Sequence, residues 1–468
     1  YELDEWKGVK VNKMLELGNS IAFVTSDSLH LLDSRLKQVG AVALELKYKV
    51  ASAMRKGTHL YVGFVGGGCV CYDLKTGQSM RLNGVSTQIS VTSIYQGSQD
   101  IIWMGTDGKG VVQLFPFRSS FHTVEIANPV RCFCQDDCGN ILVGTKGSGI
   151  KCLNQQTSSL SDFLDEQDGL GAMSVYAMKK NASGDIFIGT EGGGIDILYQ
   201  NGKGISKLDI PEQYPYFQSV YSICFTNHDS LLWVGTSGYG LIKMNVVRQE
   251  GKYKVTGLKQ YISSASDAPL NNDVVYAVVP DYSGQYVWFG TRGGGISRVS
   301  VYRNEVQSVE DIYPHVQLTN NDILSLLTDK EVLWVGTSYG LNKLVLKEGG
   351  SVVQYSDQLA DRTIHSLLKD SSGNIWMGTN HGLLHLDTKT EHVENYTFAD
   401  GLHNDELADG AAYVTENNRL FFGGVNGFSF FHADSIHLRS FEPMLVLSDL
   451  KILNLSQDIG QRIVNGTL

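Results

Sequence analysis

Leu232–Met244 reads LWVGTSGYGLIKM, and this stretch decides the fold. Apolar residues lead into Gly-Thr, a short turn holding two glycines follows, and apolar residues resume at once. Glycine adopts φ > 0 without steric cost, so such a turn between two apolar runs reads as a tight β-hairpin. The arms are apolar on consecutive rather than alternate residues, the pattern of strands covered on both faces.

The stretch recurs along the chain. Clear copies are IWMGTDGKGVVQL from Ile102, ILVGTKGSGIKCL from Ile141, IFIGTEGGGIDIL from Ile186, VWFGTRGGGISRV from Val287, LWVGTSYGLNKL from Leu333 and IWMGTNHGLLHL from Ile375. Weaker copies begin at Ile21, Leu60 and Leu420, which makes ten in all. The motif glycines Gly63, Gly105, Gly144, Gly189, Gly235, Gly290, Gly336, Gly378 and Gly423 lie 39 to 55 residues apart. A period near 40–45 residues with strand–turn–strand content marks the blades of a β-propeller, each a four-stranded sheet. Each copy is preceded by an apolar run, such as Ser219–Phe225 or Asp273–Val279, and a polar turn such as NASGD or DYSGQ. That order predicts an inner strand, the two hairpin strands and a more polar outer strand. Five of the six tryptophans (Trp103, Trp233, Trp288, Trp334 and Trp376) hold the same motif position, as residues that pack between blades do.

Composition narrows the function. The chain has 468 residues, 51 glycines, only 8 prolines and a formal net charge of −11. No basic stripe is present, which argues against nucleic acid and against anionic membrane surfaces as partners. No apolar run is long enough to span a bilayer, so any membrane attachment would come through a segment outside this chain. The seven cysteines form no disulfide framework, and the Cys132, Cys134 and Cys138 cluster lacks the spacing and fourth ligand of a zinc site. The glycine-rich turns lead into strands, whereas phosphate-binding loops lead into helices. Nothing in the sequence calls for a cofactor or a metal, and no catalytic motif appears.

The repeat resembles the two-component regulator propeller repeat, which builds periplasmic sensors of hybrid two-component systems in Bacteroidetes. Gly401–Ile436 is similar to the closing repeat of that family, and PMLVLSDLKILN, Pro443–Asn454, to the first strands of the triple-tyrosine Ig-like domain that follows it. The resemblance implies a non-catalytic, extracytoplasmic ligand-sensing region of a histidine kinase, periplasmic, with an oligosaccharide ligand and a homodimer in signalling. The expected fold is all-β: one complete seven-bladed propeller, about three blades of a second, and the start of an Ig-like β-sandwich.

Ring closure follows from the last copy, which passes from its third strand into the Ig-like segment and so lacks an outer strand. FHTVEI, Phe121–Ile126, is placed to supply it. This predicts C-terminal blades of a first propeller over residues 1–118, a seven-bladed propeller over 119–436, and a linker with the first Ig-like strands over 437–468. A single open or ten-bladed ring is the alternative.

Function belongs to the positions that differ between blades. In a propeller the turn between the second and third strands meets the loop leading into the next inner strand, at the mouth of the central channel. Turn residues there are Lys146, Glu191, Tyr239, Arg292, Tyr339, Asn380 and His381; the loops bring Tyr214, Tyr216, Asn272, Asn321, Arg362 and Asn404. Planar amides, guanidinium groups and aromatic rings suit a sugar, whereas Asn and Asp also cap turns in any β-protein. A glycosidase or lyase would need converging carboxylates, for which Glu191, Asp361, Asp405 and Glu406 are available, or a Tyr/His/Arg group. A protein-interaction scaffold is the third possibility.

Overall fold

The structure is a computed structural model that describes residues 9–17, 20–44, 47–82, 85–97, 101–114, 120–199, 204–214, 217–266, 269–346, 351–355, 359, 362–436, 450–452 and 455–457. The chain divides into two compact units, Tyr1–Arg118 and Ser119–Leu468. Tyr216, Asp361 and most of Pro443–Asn454 lie outside the described residues; within the last stretch a short strand, Leu450–Ile452, pairs with Leu455–Gln457.

The first unit holds two four-stranded sheets and a three-stranded one, Val91–Gln96, Ile102–Thr106 and Val111–Leu114. On this last sheet Trp103 is 37% exposed. Its counterparts Trp233, Trp288, Trp334 and Trp376 are at most 3% exposed, because each packs against the blade that follows. The face carrying Trp103 is therefore a blade-packing face without a following blade among the described residues of its unit.

The second unit is a ring of seven blades. The inner strands are Val130–Gln135, Val175–Lys180, Val220–Thr226, Val275–Pro280, Ile323–Asp329, Ile364–Lys369 and Leu407–Val414, and they define blades 1 to 7. Each touches the next, and the last touches the first, so the ring is closed. Blade 7 takes its outer strand from the start of the unit: His122–Glu125 pairs antiparallel with Gly427–His432, from His122 opposite Phe430 to Glu125 opposite Gly427. Seven apolar clusters fill the seams between successive blades.

Packing explains the Gly-Thr motif. The second strand of each blade lies directly beneath the next inner strand, and the motif glycine marks the closest approach. A Cβ on Gly189 would come within 2.4 Å of Val220 Cγ1, and one on Gly290 within 2.4 Å of Ile323 Cγ2. The threonine locks the turn. Thr236 Oγ1 donates to the Gly240 carbonyl at 2.7 Å and accepts the Tyr239 amide at 3.1 Å. The same hydroxyl-to-glycine bond recurs from Thr145, Thr190, Thr291, Thr337 and Thr379. These threonines are buried, so the bonds are made where water cannot substitute.

Candidate functional site

The turns between second and third strands are tied by backbone hydrogen bonds to the loops that enter the inner strands, some to that of their own blade and others to that of the next. The amides of Gly147, Glu191, Gly192 and Ser237 donate to the carbonyls of Met173, Ser174, Gln218 and Ser219. Those of Gly238, Arg292, Gly295, Ser338, Gly340 and Gly382 donate to Asp273, Val274, Asn321, Asp322, Arg362 and Asp405. Turn and loop residues thus share one face of the ring and stand around one end of its channel.

The inner strands carry a feature the repeat pattern does not advertise. In blades 1 to 6 the register against the second strand slips at the same place, between Val130 and Cys132, Val175 and Ala177, Val220 and Ser222, Val275 and Ala277, Ile323 and Ser325, and Ile364 and Ser366. Each slip is a β-bulge, which leaves one residue unpaired and re-aims its side chain. The extra residues are Arg131, Tyr176, Tyr221, Tyr276, Leu324 and His365. Blade 7 makes a longer irregularity between Leu407 and Ala412, which contains Asp409. The channel encloses a cavity of about 450 Å³ whose lining includes Tyr176, Tyr221, Tyr276 and Leu324. That volume is in the range of small-molecule sites.

From His365 through Asp409, Arg131, Tyr176 and Tyr221 to Tyr276, these residues touch in ring order. The Arg131 guanidinium lies 4.7 Å from the centroid of Tyr176. Tyr176 and Tyr221 are 4.9 Å apart, and Tyr221 and Tyr276 are stacked at 5.7 Å. On the other side, Arg131 Nη2 reaches Asp409 Oδ2 at 3.5 Å, and His365 Nδ1 meets Asp409 Oδ1 at 2.5 Å. Arg131 Nε and Ser366 Oγ, which lies on the cavity lining, are buried without a hydrogen-bond partner.

Burial and neighbouring charges shift three members of the ring. Burial pushes the Tyr176 phenol up to about 12, and a hydrogen bond with Glu191 adds to this. Tyr276 is raised by burial and by the charges of Asp409 and Asp322, with Arg292 opposing. Both phenols are neutral in ordinary buffers. Burial alone would raise the Asp409 carboxyl, but the hydrogen bond and charge of His365, with the charge of Arg131, hold it below the usual carboxylate value.

The residues expected from the sequence fall into three groups. Glu191 and Arg292 act on Tyr176 and Tyr276 and so belong to the mouth. Lys146, Tyr339 and His381 are exposed on the same face, and the Asn321 carbonyl accepts from Gly295 there. Others are committed locally. Asn272 Oδ1 accepts the Val274 amide at 2.8 Å, Asn380 Oδ1 the Thr363 amide at 3.1 Å, and Arg362 Nη1 donates to the His381 carbonyl at 3.1 Å. Tyr239 and Tyr214 pack against the apolar cluster between blades 2 and 3. Asn404 Nδ2 is buried without a partner beside Gly424.

Sequence reasoning passed over the bulge residues because it looked only at loops. The signal was present: one position near the start of each inner strand reads Arg, Tyr, Tyr, Tyr, Leu and His, while the residue before it is always Val or Ile. Among the described residues no cluster of His, Cys, Asp or Glu could hold a metal. Cys132, Cys134 and Cys224 are buried, and burial raises their thiols, Cys134 to about 11 and Cys224 to about 12.

Fold and repeat together define an all-β chain whose second unit is a seven-bladed propeller. Residues 358–381 match the family described as two component regulator propeller. A histidine kinase, P4, of Formosa agariphila is 26% identical over 339 residues, which cover 68% of this chain and 23% of that protein. Among solved structures, the extracellular domain of a hybrid two component system from B. thetaiotaomicron superposes with a TM-score of 0.66 at 20% identity, covering 91% of this chain and 56% of its own. A second extracellular domain from B. thetaiotaomicron gives 0.57 at 18% identity, covering 97% and 62%. Streptogramin B lyase, at 0.51 and 13% identity, covers 67% of this chain and 99% of its own. At these identities the superpositions speak for the fold. The chain spans less than two thirds of the histidine kinase and of the first two solved domains.

Proposed function

We propose that this chain is the extracytoplasmic, periplasmic sensing region of a hybrid histidine kinase, and that it binds an oligosaccharide at the turn face of the seven-bladed ring. The observation that carries the reading is the convergence of the turn residues Glu191 and Arg292 with the bulge residues Arg131, Tyr176, Tyr221, Tyr276, His365 and Asp409 around one channel mouth. The likeness to a histidine kinase and to extracellular domains of two-component systems supports a sensor role. Binding would bias the relative placement of two states or two protomers of a homodimer, which requires different affinity for the two. A membrane segment and kinase outside this chain would relay the change. The test is thermal shift against a glycan panel: a ligand at 100 times its Kd stabilises by about 2.7 kcal/mol. The responding glycan should lose its effect in Glu191→Ala with Arg292→Ala, and a rise that survives both changes refutes the site.

One observation favours a second reading. The Asp409–His365 pair beside Arg131 and Tyr176 has the make-up of an acid–base group. Turnover of the stabilising glycan, followed by chromatography, would establish a propeller lyase or glycosidase in place of a sensor.

A further inference from the structure

Resting on the sensor reading, we propose that the bulge ring is a terminal-unit site: it takes the hydroxyl-rich end of an uncharged saccharide into the channel, edge-on to the tyrosines. The ligand class follows from how the ring surfaces are used. An aromatic platform for a sugar needs an open ring face. Here both faces of Tyr176 and Tyr221 are taken, by Arg131 and Tyr221 in the first case and by Tyr176 and Tyr276 in the second. What this leaves for the cavity is the phenol hydroxyls: those of Tyr221 and Tyr276 can each donate one hydrogen bond and accept others, while that of Tyr176 is already bonded to Glu191 and can accept. Neutral phenols in a row suit successive hydroxyl groups and offer little to a planar cation or an aromatic ligand.

Charge separates a neutral sugar from an acidic one. Three carboxylates, Glu191, Asp322 and Asp409, act on the tyrosines from around the mouth. The cations acting on the same tyrosines are Arg131 and Arg292, while Lys179 and Lys180 line the cavity farther along the inner strand of blade 2. Arg131 is already engaged by Asp409 and lies over Tyr176. A sugar carboxylate would have to displace Asp409 from Arg131, and Asp409 would then stand beside it as a like charge. A neutral diol instead finds carboxylate acceptors and phenol donors in place. The apolar side of a sugar ring has a counterpart in Leu324, the one aliphatic member of the set, set between Tyr276 and His365 in ring order. The end of a chain is implied by shape. The bulged positions belong to inner strands that converge on the ring axis, and the cavity of about 450 Å³ continues below them among Ala177, Ser222, Ala277, Ser325 and Ser366.

The test is calorimetric titration of the whole 468-residue chain. The probes are neutral gluco-, manno-, xylo- and galacto-trisaccharides, with trigalacturonic acid as the charged counterpart. A neutral trimer should bind, and trigalacturonic acid should bind at least tenfold more weakly. Tyr221→Phe, which keeps the stack and removes one hydroxyl, and Asp409→Asn should each weaken binding about tenfold or more. Leu324→Trp, which fills the mouth from between Tyr276 and His365, should abolish it; circular dichroism and melting check that each variant is folded. Preference for trigalacturonic acid overturns the inference and leaves the sensor reading standing. So does a neutral trimer whose affinity is unchanged in Tyr221→Phe and Leu324→Trp. If no saccharide of either kind binds, both the inference and the oligosaccharide reading fall.

Discussion

Replacing Thr236 by valine tests the account of the repeat most directly. The side chain keeps its shape and loses only the hydroxyl. In the fold that hydroxyl is fully buried, donates to the Gly240 carbonyl at 2.7 Å and accepts the Tyr239 amide at 3.1 Å. The Gly240 carbonyl retains a second donor, the Thr236 amide at 3.2 Å, so it is not orphaned. Tyr239 is half-buried, so water can partly replace the lost acceptor. One buried hydrogen bond is lost outright and another is partly compensated, which costs about 1–3 kcal/mol. At roughly 2 °C per kcal/mol for a unit of this size, the melting transition of the ring falls by about 2–6 °C. Scanning calorimetry measures the shift, and amide exchange at Tyr239 should quicken by about tenfold for each 1.4 kcal/mol. Thr145→Val removes the equivalent bond in blade 1, far enough away for the two costs to add. A Thr236→Val ring that melts within about 1 °C of the parent, with unchanged exchange at Tyr239, would show that the Gly-Thr hydroxyl does not hold the turn.

Further outcomes follow from the same geometry. Gly290→Ala drives a methyl group against Ile323, a β-branched side chain on the next inner strand, and should destabilise the ring by about 1–3 kcal/mol in chemical denaturation. Trp233→Ala should cost about 3–5 kcal/mol, whereas Trp103→Ala, on the partly exposed face of the first unit, should cost clearly less in that unit's own transition. Asp409 has its proton affinity lowered in the folded state, so the stability it contributes is fully present above the ordinary carboxylate value and is lost as pH falls through the depressed one. The stability gap between the parent and Asp409→Asn should therefore narrow as pH falls below about 4. Of the seven cysteines only Cys138 is exposed, so a disulfide-exchange reagent should label one thiol quickly, and Cys138→Ser should remove that phase.

The blades were legible because the Gly-Thr turn is a local device repeated in six of the seven blades of the ring, and both of its residues answer to fixed contacts. The loops around the mouth were also legible as a face, since turn and inner strand alternate in order along the chain. What each loop residue does was not. Asn272 and Asn380 look like ligand contacts in one dimension, yet their amide oxygens cap nearby backbone amides, and which way such a side chain turns depends on a hydrogen bond two or more residues away. Tyr239 reads as a rim aromatic but fills the seam between blades. The bulge residues were hidden for a different reason. A bulge changes the direction of a side chain without changing the apolar pattern around it, so Tyr176 and Tyr221 read as ordinary members of a buried strand. Their variation from blade to blade was the trace left in the sequence.

The shared sheet of blade 7 has a mechanical consequence. His122 lies opposite Phe430, and beyond them Ser120 Oγ still donates to the Ser435 carbonyl at 2.8 Å, so the two chain directions leave the ring side by side at the same end of one strand pair. A pull that separates them would open this ladder like a zipper, one hydrogen-bonded pair after another, rather than shearing every pair at once. The other six blades are each closed within one continuous stretch of chain and would bear none of that load. The strand pair that closes the ring is thus also the one that a pull on its two chain ends loads first.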